Sequence, residues 1–305
     1  MRRLELADLM LLSTVTLWAL NFTVAKYVLD RGFQPIAYGS LRFALATLVL
    51  CALAYARERS LAMSRRDLAI LAGAALVGIC LNQLTFVYAI KLTTATTVAL
   101  LFGTLPVMAG LLAHVLGIDR VGTRFWVAAL LAFAGAALVA LGSGSGLSGH
   151  LWGDLLALGA TATWACYTVA VAPLLRRYSP LRVSAVGFAI GSVPLLFIGA
   201  PQLSTQDFGF PPSIWLLFAY SALGALVVAN LLWFGGISRV GPSHASLFAN
   251  LQPFLAAIFA LVILSEPVSG LQIAGGLVIA CGIVLARRSP DPAVPARGAV
   301  GTVEE

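Results

Sequence analysis

Charged side chains are scarce in this 305-residue chain. Asp, Glu, Lys and Arg make up 10% of it, whereas 60% of its residues are hydrophobic. Soluble domains carry about 25% charged residues. Apolar runs of about 20 residues, each long enough to cross a bilayer as a helix, recur from end to end. The composition excludes an ordinary soluble protein and predicts an all-α integral membrane protein with ten transmembrane helices.

Reactive side chains are also scarce. The four cysteines fall inside the apolar runs and show neither a disulfide framework nor a metal-ligand spacing. The histidines, His114, His150 and His244, are isolated from one another. No pair of acidic residues lies within an apolar run, which excludes an intramembrane aspartyl protease. We therefore expect no enzyme activity, no metal site and no cofactor.

The basic residues predict the topology. We place the spans at 7–27, 35–55, 67–89, 93–116, 123–142, 151–172, 181–200, 213–235, 243–264 and 269–287. Fifteen of the 19 Lys and Arg residues then fall at the amino end and on alternate loops, three fall on the opposite side, and Arg42 lies within a span. Because cytoplasmic loops retain positive charge, we expect both termini to lie in the cytoplasm.

The chain consists of two copies of one unit. The stretch 89–113 recurs as 236–260, so that Pro106 corresponds to Pro253, and Trp18 corresponds to Trp164 at nearly the same spacing. We expect a first five-helix repeat at 7–142, a Gly/Ser linker at 143–150, a second five-helix repeat at 151–287 and a disordered tail at 288–305. An odd number of spans inverts the second copy, and inverted repeats are typical of transporters.

Arg42 is the costliest residue within a span, at about 2.5–3.5 kcal/mol if it reaches the bilayer centre. Two interpretations remain open. The side chain extends to the outer interface, which its position about two turns into the helix favours, or it binds a carboxylate or takes part in gating.

Amide and aromatic residues share faces on several spans. Asn82 and Phe86 lie four residues apart, next to Gln83, and Asn230 occupies the place of Gln83 in the second copy. Such amides either bind a polar solute or form hydrogen bonds between helices. Trp18, near Asn21, and Trp164 lie mid-span rather than in the interfacial belt where tryptophan is common, which favours a cavity wall.

Further polar and kinked positions lie on spans four and nine. Ser243, Ser246 and Asn250 form a stripe that would be wasted against lipid. Pro106 and Pro253 break backbone hydrogen bonds at matching positions of the two copies.

From these patterns we predict two sets of functional residues. Substrate binding is assigned to Trp18, Asn21, Asn82, Gln83, Phe86, Trp164, Asn230, Ser246 and Asn250, and gating or helix kinking to Arg42, Pro106 and Pro253.

Small residues recur on spans five and ten, and they allow helices to approach closely. We expect these positions to form packing seams between the halves, without a chemical role. They are Ala128, Ala132, Ala136 and Ala140 on span five, and Gly270, Gly275, Gly276 and Gly282 on span ten.

The repeated segment resembles the unit of the EamA-type drug/metabolite transporter superfamily. In each copy a proline-containing helix, with Pro106 or Pro253, is followed by Asp119-Arg120 or Glu266-Pro267 and then by a span rich in small residues. Within that superfamily the chain is similar to the ten-helix amino-acid exporters of the YddG type. The resemblance implies that helices three, four, eight and nine line a central cavity and that five and ten are peripheral.

The resemblance implies a multi-pass protein of the bacterial inner membrane that exports amino acids, neutral or aromatic, or related small metabolites by alternating access. The partners would be a small-molecule substrate and the lipid bilayer, without nucleic acid, and we expect a monomer. The four-helix multidrug members carry a glutamate in their first span, where this chain has Thr14, Trp18 and Asn21. We therefore expect transport without obligatory proton coupling. The alternative is a drug or nucleotide-sugar carrier of the same superfamily.

Overall fold

The computed structural model describes residues 5–93, 95–119, 121–142, 151–255, 258–259 and 269–287. Those residues form helices joined by short turns, and no strand occurs among them, so the all-α prediction is confirmed for this part of the chain. The predicted linker at 143–150 and tail at 288–305 lie outside the described residues. The helices are α1 (Leu6–Asp30), α2 (Pro35–Glu58), α3 (Arg65–Ala75), α4 (Asn82–Leu92), α5 (Ala95–Phe102), α6 (Leu105–Val115), α7 (Thr123–Gly142), α8 (Leu151–Val171), α9 (Pro180–Thr205), α10 (Pro212–Ala219), α11 (Ala229–Leu247) and α12 (Gly270–Arg287).

Local signals fix several helix starts. Ser64 accepts a hydrogen bond from the Asp67 backbone N–H and caps α3, and Ser179 caps α9 in the same way. Glu5 and Asp8 form a reciprocal capping box at the start of α1. Helices α2 and α9 also begin with a proline, which the first helical turn accepts because its N–H groups have no partner within the helix.

Six helical runs within the described ranges are long and apolar enough to cross a bilayer. They are Leu6–Asp30, Pro35–Glu58, Arg65–Leu92, Leu151–Arg176, Pro180–Thr205 and Pro212–Leu255. The last run has 44 residues, whereas about 20 suffice for one crossing. It is interrupted at Gly241, whose backbone has φ 79° and ψ 164°. Shorter apolar helices lie at Leu105–Val115, Thr123–Gly135 and Gly270–Leu285. The count of ten spans stays a prediction.

The spans that contain Pro106 and Pro253 are both broken just before the proline. In the first copy a turn at residues 103–104 separates α5 from α6, and Pro106 lies in the first turn of α6. In the second copy the 3-10 turn Phe248–Leu251 precedes Pro253. The breaks occupy equivalent repeat positions because each proline removes a backbone donor and clashes with the preceding turn.

Two π-helical segments interrupt the helices that carry the repeated amides. The first, Leu76–Leu81, ends just before Asn82, and the second, Tyr220–Val228, ends just before Ala229 and Asn230. The ends at 81 and 228 are equivalent in the two copies. A π-helical turn leaves carbonyl groups with irregular hydrogen bonding, and such turns are frequent at functional sites.

Helices α7 and α12 form the expected seam between the halves. A methyl group added to Gly135 would lie 2.7 Å from the Gly275 carbonyl oxygen, and one added to Gly282 would lie 2.8 Å from the Ala128 carbonyl oxygen. Gly135 and Gly282 are equivalent repeat positions, as are Ala128 and Gly275. Each glycine therefore packs against the counterpart of the residue that the other glycine contacts. A twofold rotation that relates the halves would produce this pattern.

Helices α2 and α9 also pair in opposite directions. Ser40 donates a hydrogen bond to the Leu195 carbonyl at 2.9 Å, and Thr47 donates to Ser192 at 3.2 Å. Farther along, Arg182 lies 2.9 Å from Glu58. Because these two helices are equivalent in the repeats, their antiparallel contact fits an inverted arrangement of the halves.

Candidate functional site

A cavity of about 680 Å³, including its opening, lies where helices of both halves meet. It brings together seven of the nine residues predicted to bind substrate, and also Arg42. The lining residues are Trp18, Asn21, Phe22, Arg42, Phe43, Ile79, Asn82, Gln83, Phe86, Phe102, Leu105, Trp164, Phe188, Ala225, Leu226, Asn230 and Gln252.

The lining is shared between equivalent positions of the two copies. Five pairs of equivalent residues contribute to it. They are Trp18 with Trp164, Phe43 with Phe188, Ile79 with Leu226, Gln83 with Asn230, and Leu105 with Gln252. The cavity is therefore built at the junction of the halves, and each pair offers two different side chains except for the tryptophan pair and the phenylalanine pair.

The tryptophans form one wall. The rings of Trp18 and Trp164 meet edge to face with centroids 5.4 Å apart, and Trp233 lies behind Trp18 at 5.1 Å. The indole N–H of Trp18 donates to the Ala225 carbonyl in the second π segment at 3.0 Å. Because that N–H is engaged, Trp18 offers the cavity an aromatic face and a fixed orientation.

The amides Asn82, Gln83 and Asn230 differ in which of their polar atoms lack a hydrogen-bond partner in the protein. Asn82 donates to the Ala160 carbonyl at 2.7 Å and to the Thr163 hydroxyl at 3.1 Å, so its NH₂ group joins α4 to α8. The NH₂ group of Asn82 therefore forms hydrogen bonds between helices, which is the second of the two interpretations given for the amides. By contrast, Nε2 of Gln83 and Oδ1 of Asn230 are buried without a hydrogen-bond partner in the protein. Buried polar atoms are rarely unpaired, so these atoms are available to a ligand.

Arg42 is only 2% exposed and lines the cavity. The favoured interpretation, extension to the outer interface, does not fit a side chain that is almost fully buried and lines the cavity. Its guanidinium carbon lies 4.8 Å from the centroid of the Tyr38 ring, and its Nε and Nη1 atoms have no hydrogen-bond partner. Depth along a helix did not reveal which side of the helix the residue occupies.

Ser246 and Asn250 are fully buried but do not line the cavity. Ser246 instead donates to the Ser243 carbonyl at 2.6 Å. The predicted stripe assumed a regular α-helix, whereas the 3-10 turn Phe248–Leu251 has about three residues per turn and changes which face points inward. Gln252, which is 1% exposed, takes the inward position instead. The sequence signal for Gln252 was an amide within an apolar span, directly before Pro253.

The two prolines lie beside the cavity rather than in its wall. Pro106 and Pro253 directly follow the lining residues Leu105 and Gln252. They therefore position lining residues through the backbone.

Three phenylalanines that the sequence analysis did not identify as a group also meet in the cavity wall. Phe22, Phe86 and Phe102 have ring centroids 5.7–6.2 Å apart.

Comparison with known proteins identifies the fold and the family. The sequence model of the EamA-like transporter family matches residues 5–141 and, a second time, residues 151–288. The chain belongs to the EamA-like transporter family. This EamA-like protein is thus a membrane-embedded transporter, whose partners are a small-molecule substrate and the lipid bilayer.

Individual relatives support this placement. The chain is 27% identical to "Uncharacterized transporter YetK" of Bacillus subtilis, over 89% of this chain and 84% of that protein. It is also 27% identical to the "Probable terminal-alkyne amino-acid exporter" of Streptantibioticus cattleyicolor, over 91% of this chain and 92% of that protein. A solved crystal structure, 20% identical, covers 92% of this chain and 98% of its own with a TM-score of 0.76, which shows a shared fold.

Proposed function

We propose that this EamA-like transporter exports amino acids, neutral or aromatic, or related small metabolites from the bacterial cytoplasm by alternating access. The observation that carries the proposal is the chemistry of the central cavity. It combines one buried cation, several amides and two indole rings. An α-amino acid carries a carboxylate, an ammonium and a side chain, and these groups match that set.

One relative adds support for the substrate class. The protein from Streptantibioticus cattleyicolor is named as a probable exporter of a terminal-alkyne amino acid, and it aligns with nearly the whole of this chain. In this protein, the indoles of Trp18 and Trp164 provide an apolar surface that the side chain of a bound amino acid can contact. We therefore favour a substrate with an apolar or aromatic side chain.

Transport without obligatory proton coupling is part of the proposal. No Asp or Glu occurs among the described residues that line the cavity. A carboxylate that exchanges a proton for substrate is the usual coupling group in membrane transporters. We expect substrate to move down its own gradient, and a pH difference alone should not drive its accumulation in liposomes.

A drug or nucleotide-sugar carrier is the second candidate. A nucleotide sugar carries two phosphate charges, and sites that bind phosphate typically provide several basic groups. Arg42 is the one basic residue in the described lining. A cationic drug would be repelled by that same group. The cavity therefore favours a zwitterion over either alternative.

Flux measurements with a matched pair of tryptophan variants test the proposal. Purified protein in liposomes should transport labelled phenylalanine, tryptophan or leucine, and Trp164→Ala should lower the flux about tenfold by removing one wall of the cavity. Trp152→Ala is the control, because Trp152 lies on the same helix with 75% of its surface exposed. Equal flux in both variants, or no amino-acid flux in the wild type, would contradict the proposed function.

A further inference from the structure

Arg42 carries a charge that no described neighbour balances. The guanidinium is enclosed in the protein, stacks on the Tyr38 ring, and leaves two of its nitrogen atoms without a partner. A guanidinium has five N–H donors and no acceptor of its own. A buried cation of this kind is unfavourable unless an anion joins it.

The surroundings of Arg42 hold the group in place without neutralising it. The Tyr38 hydroxyl is 2.6 Å from the Ser221 hydroxyl, which in turn donates to Asn21. This network fixes the ring on which the guanidinium rests. None of its members is acidic, and the described cavity wall contains no carboxylate. The nitrogen atoms of Arg42 are therefore positioned for a group that comes from outside the protein.

Gln83 provides a second donor on the same side of α2. Its Nε2 atom lies 3.0 Å from the place that a Cβ atom on Gly39 would occupy, and Gly39 is one helical turn from Arg42. Because Gly39 has no side chain, the amide can approach α2 closely. Two unpartnered donors, one of them charged, thus face one part of the cavity.

We infer that Arg42 and Gln83 bind the carboxylate group of the transported solute. A guanidinium presents paired N–H donors that match the two oxygen atoms of a carboxylate. The unpaired oxygen atoms of Asn230 and Gln252 are available to the ammonium group of the same molecule. The inference deepens the proposed function by naming the charge that the substrate must carry, and it rests on that function only for the ammonium end.

The sign of the charge depends on Arg42 alone. A terminal amide exchanges its donor and acceptor when it rotates by half a turn, so the amides can serve either end of the solute. The guanidinium has no acceptor in any orientation. Solutes that lack a carboxylate should therefore be poor ligands, even when their side chain and amine are unchanged.

Three ligands with the same phenyl side chain test the inference on the full-length protein. They are L-phenylalanine, phenylalaninamide, which lacks the carboxylate, and 3-phenylpropionate, which lacks the amine. Binding is measured by thermal stabilisation of the detergent-solubilised protein and by competition for flux in liposomes. We expect the wild type to bind both carboxylates at least about tenfold more tightly than the amide, since the amide leaves a buried charge unpaired.

Variants at two arginines separate ligand binding from folding. Arg42→Gln should lose this preference for carboxylates, and Arg42→Lys should keep part of it. Without ligand, Arg42→Gln should be at least as stable as the wild type, because no buried acidic partner is left behind. Arg31→Gln is the matched control, since Arg31 stacks on the Tyr27 ring at 4.5 Å but lies outside the cavity.

The outcomes distinguish this inference from the proposed function. If amino acids are not transported but 3-phenylpropionate binds in an Arg42-dependent manner, the proposed function fails and the carboxylate site stands. If phenylalanine is transported and Arg42→Gln keeps the wild-type preference over phenylalaninamide, the function stands and the carboxylate site is wrong. Absence of wild-type binding by both carboxylates would also overturn the site.

Discussion

Trp18 and Trp164 occupy equivalent positions in the two halves and meet edge to face, with ring centroids 5.4 Å apart and an interplanar angle of 85°. Equivalent residues of a duplicated chain touch only when they lie close to the axis that relates the copies. Both rings also line the cavity. The proposed substrate site is therefore on that axis, and a bound substrate can contact both halves.

Gln252 and Asn250 should respond differently to replacement by alanine. Gln252 lines the cavity with an unpaired oxygen atom, whereas Asn250 is fully buried away from it. We expect Gln252→Ala to lower amino-acid flux about tenfold, the effect of losing one good polar contact to a charged group. Asn250→Ala should retain near wild-type flux. The reverse order would show that span nine presents its other face to the substrate.

Gly135→Ala should destabilise the seam between the halves. The added methyl group would meet the Gly275 carbonyl at 2.7 Å and the Ile279 backbone nitrogen at 2.9 Å, and neither can move aside easily. Overpacking of this kind costs about 1–3 kcal/mol. Gly73→Ala is the control, because nothing lies within 4 Å of its added methyl group. Thermal unfolding in detergent measures both, and equal midpoints would rule out close packing at Gly135.

Gly241→Ala should weaken the connection between the eighth and ninth predicted spans. The backbone at Gly241 has φ 79° and ψ 164°, a region that residues with a Cβ atom rarely adopt. The Asp119 carboxylate oxygen would also lie 3.1 Å from the new methyl group. We expect a loss of about 1–3 kcal/mol in the free energy of unfolding. Gly122→Ala, with open space around it, should show little change.

Glu58 and Arg182 should be energetically coupled. They join α2 to α9 at 2.9 Å, each with only about a fifth of its side chain exposed, and Glu58 also accepts from Ser179. A double-mutant cycle with Glu58→Gln and Arg182→Gln should give a coupling energy of about 0.5–3 kcal/mol. The exposed pair Lys26–Asp30 should give about 0.3–0.5 kcal/mol. Equal values for the two pairs would contradict this prediction.

Both chain termini should face the cytoplasm. In a background without the native cysteines, Asp207→Cys, on an exposed turn after α9, should react with a membrane-impermeant maleimide in intact cells. Ser60→Cys, between α2 and α3, should react only after permeabilisation. Labelling of Ser60→Cys alone in intact cells would show the opposite topology. Labelling of both Ser60→Cys and Asp207→Cys without permeabilisation would contradict the predicted number of spans between residues 60 and 207.

Much of the helical framework could be predicted from the sequence. The apolar runs predicted starts at 35 and 181, and the helices begin at Pro35 and Pro180. The repeat pointed to Gln83 and Asn230, which do line one cavity. An amide within an apolar segment is costly against lipid, so composition alone indicates that it faces the protein interior.

The remaining features depend on backbone irregularities that composition does not encode. The π segment Leu76–Leu81 has ordinary apolar residues, and nothing in them distinguishes it from an α-helix. The 3-10 turn at Phe248–Leu251 moved the inward face from Asn250 to Gln252. Arg42 was misplaced for a related reason, since its distance from the helix end says nothing about which neighbour covers it.

The reciprocal contacts of Gly135 and Gly282 have a consequence for how such a chain assembles. Each half presents at this seam a surface that is complementary to its own copy, as the subunits of a symmetric homodimer do. The peptide connection between the halves then contributes chiefly a high effective concentration of one for the other. Two half-length polypeptides made separately would each still carry one side of this seam.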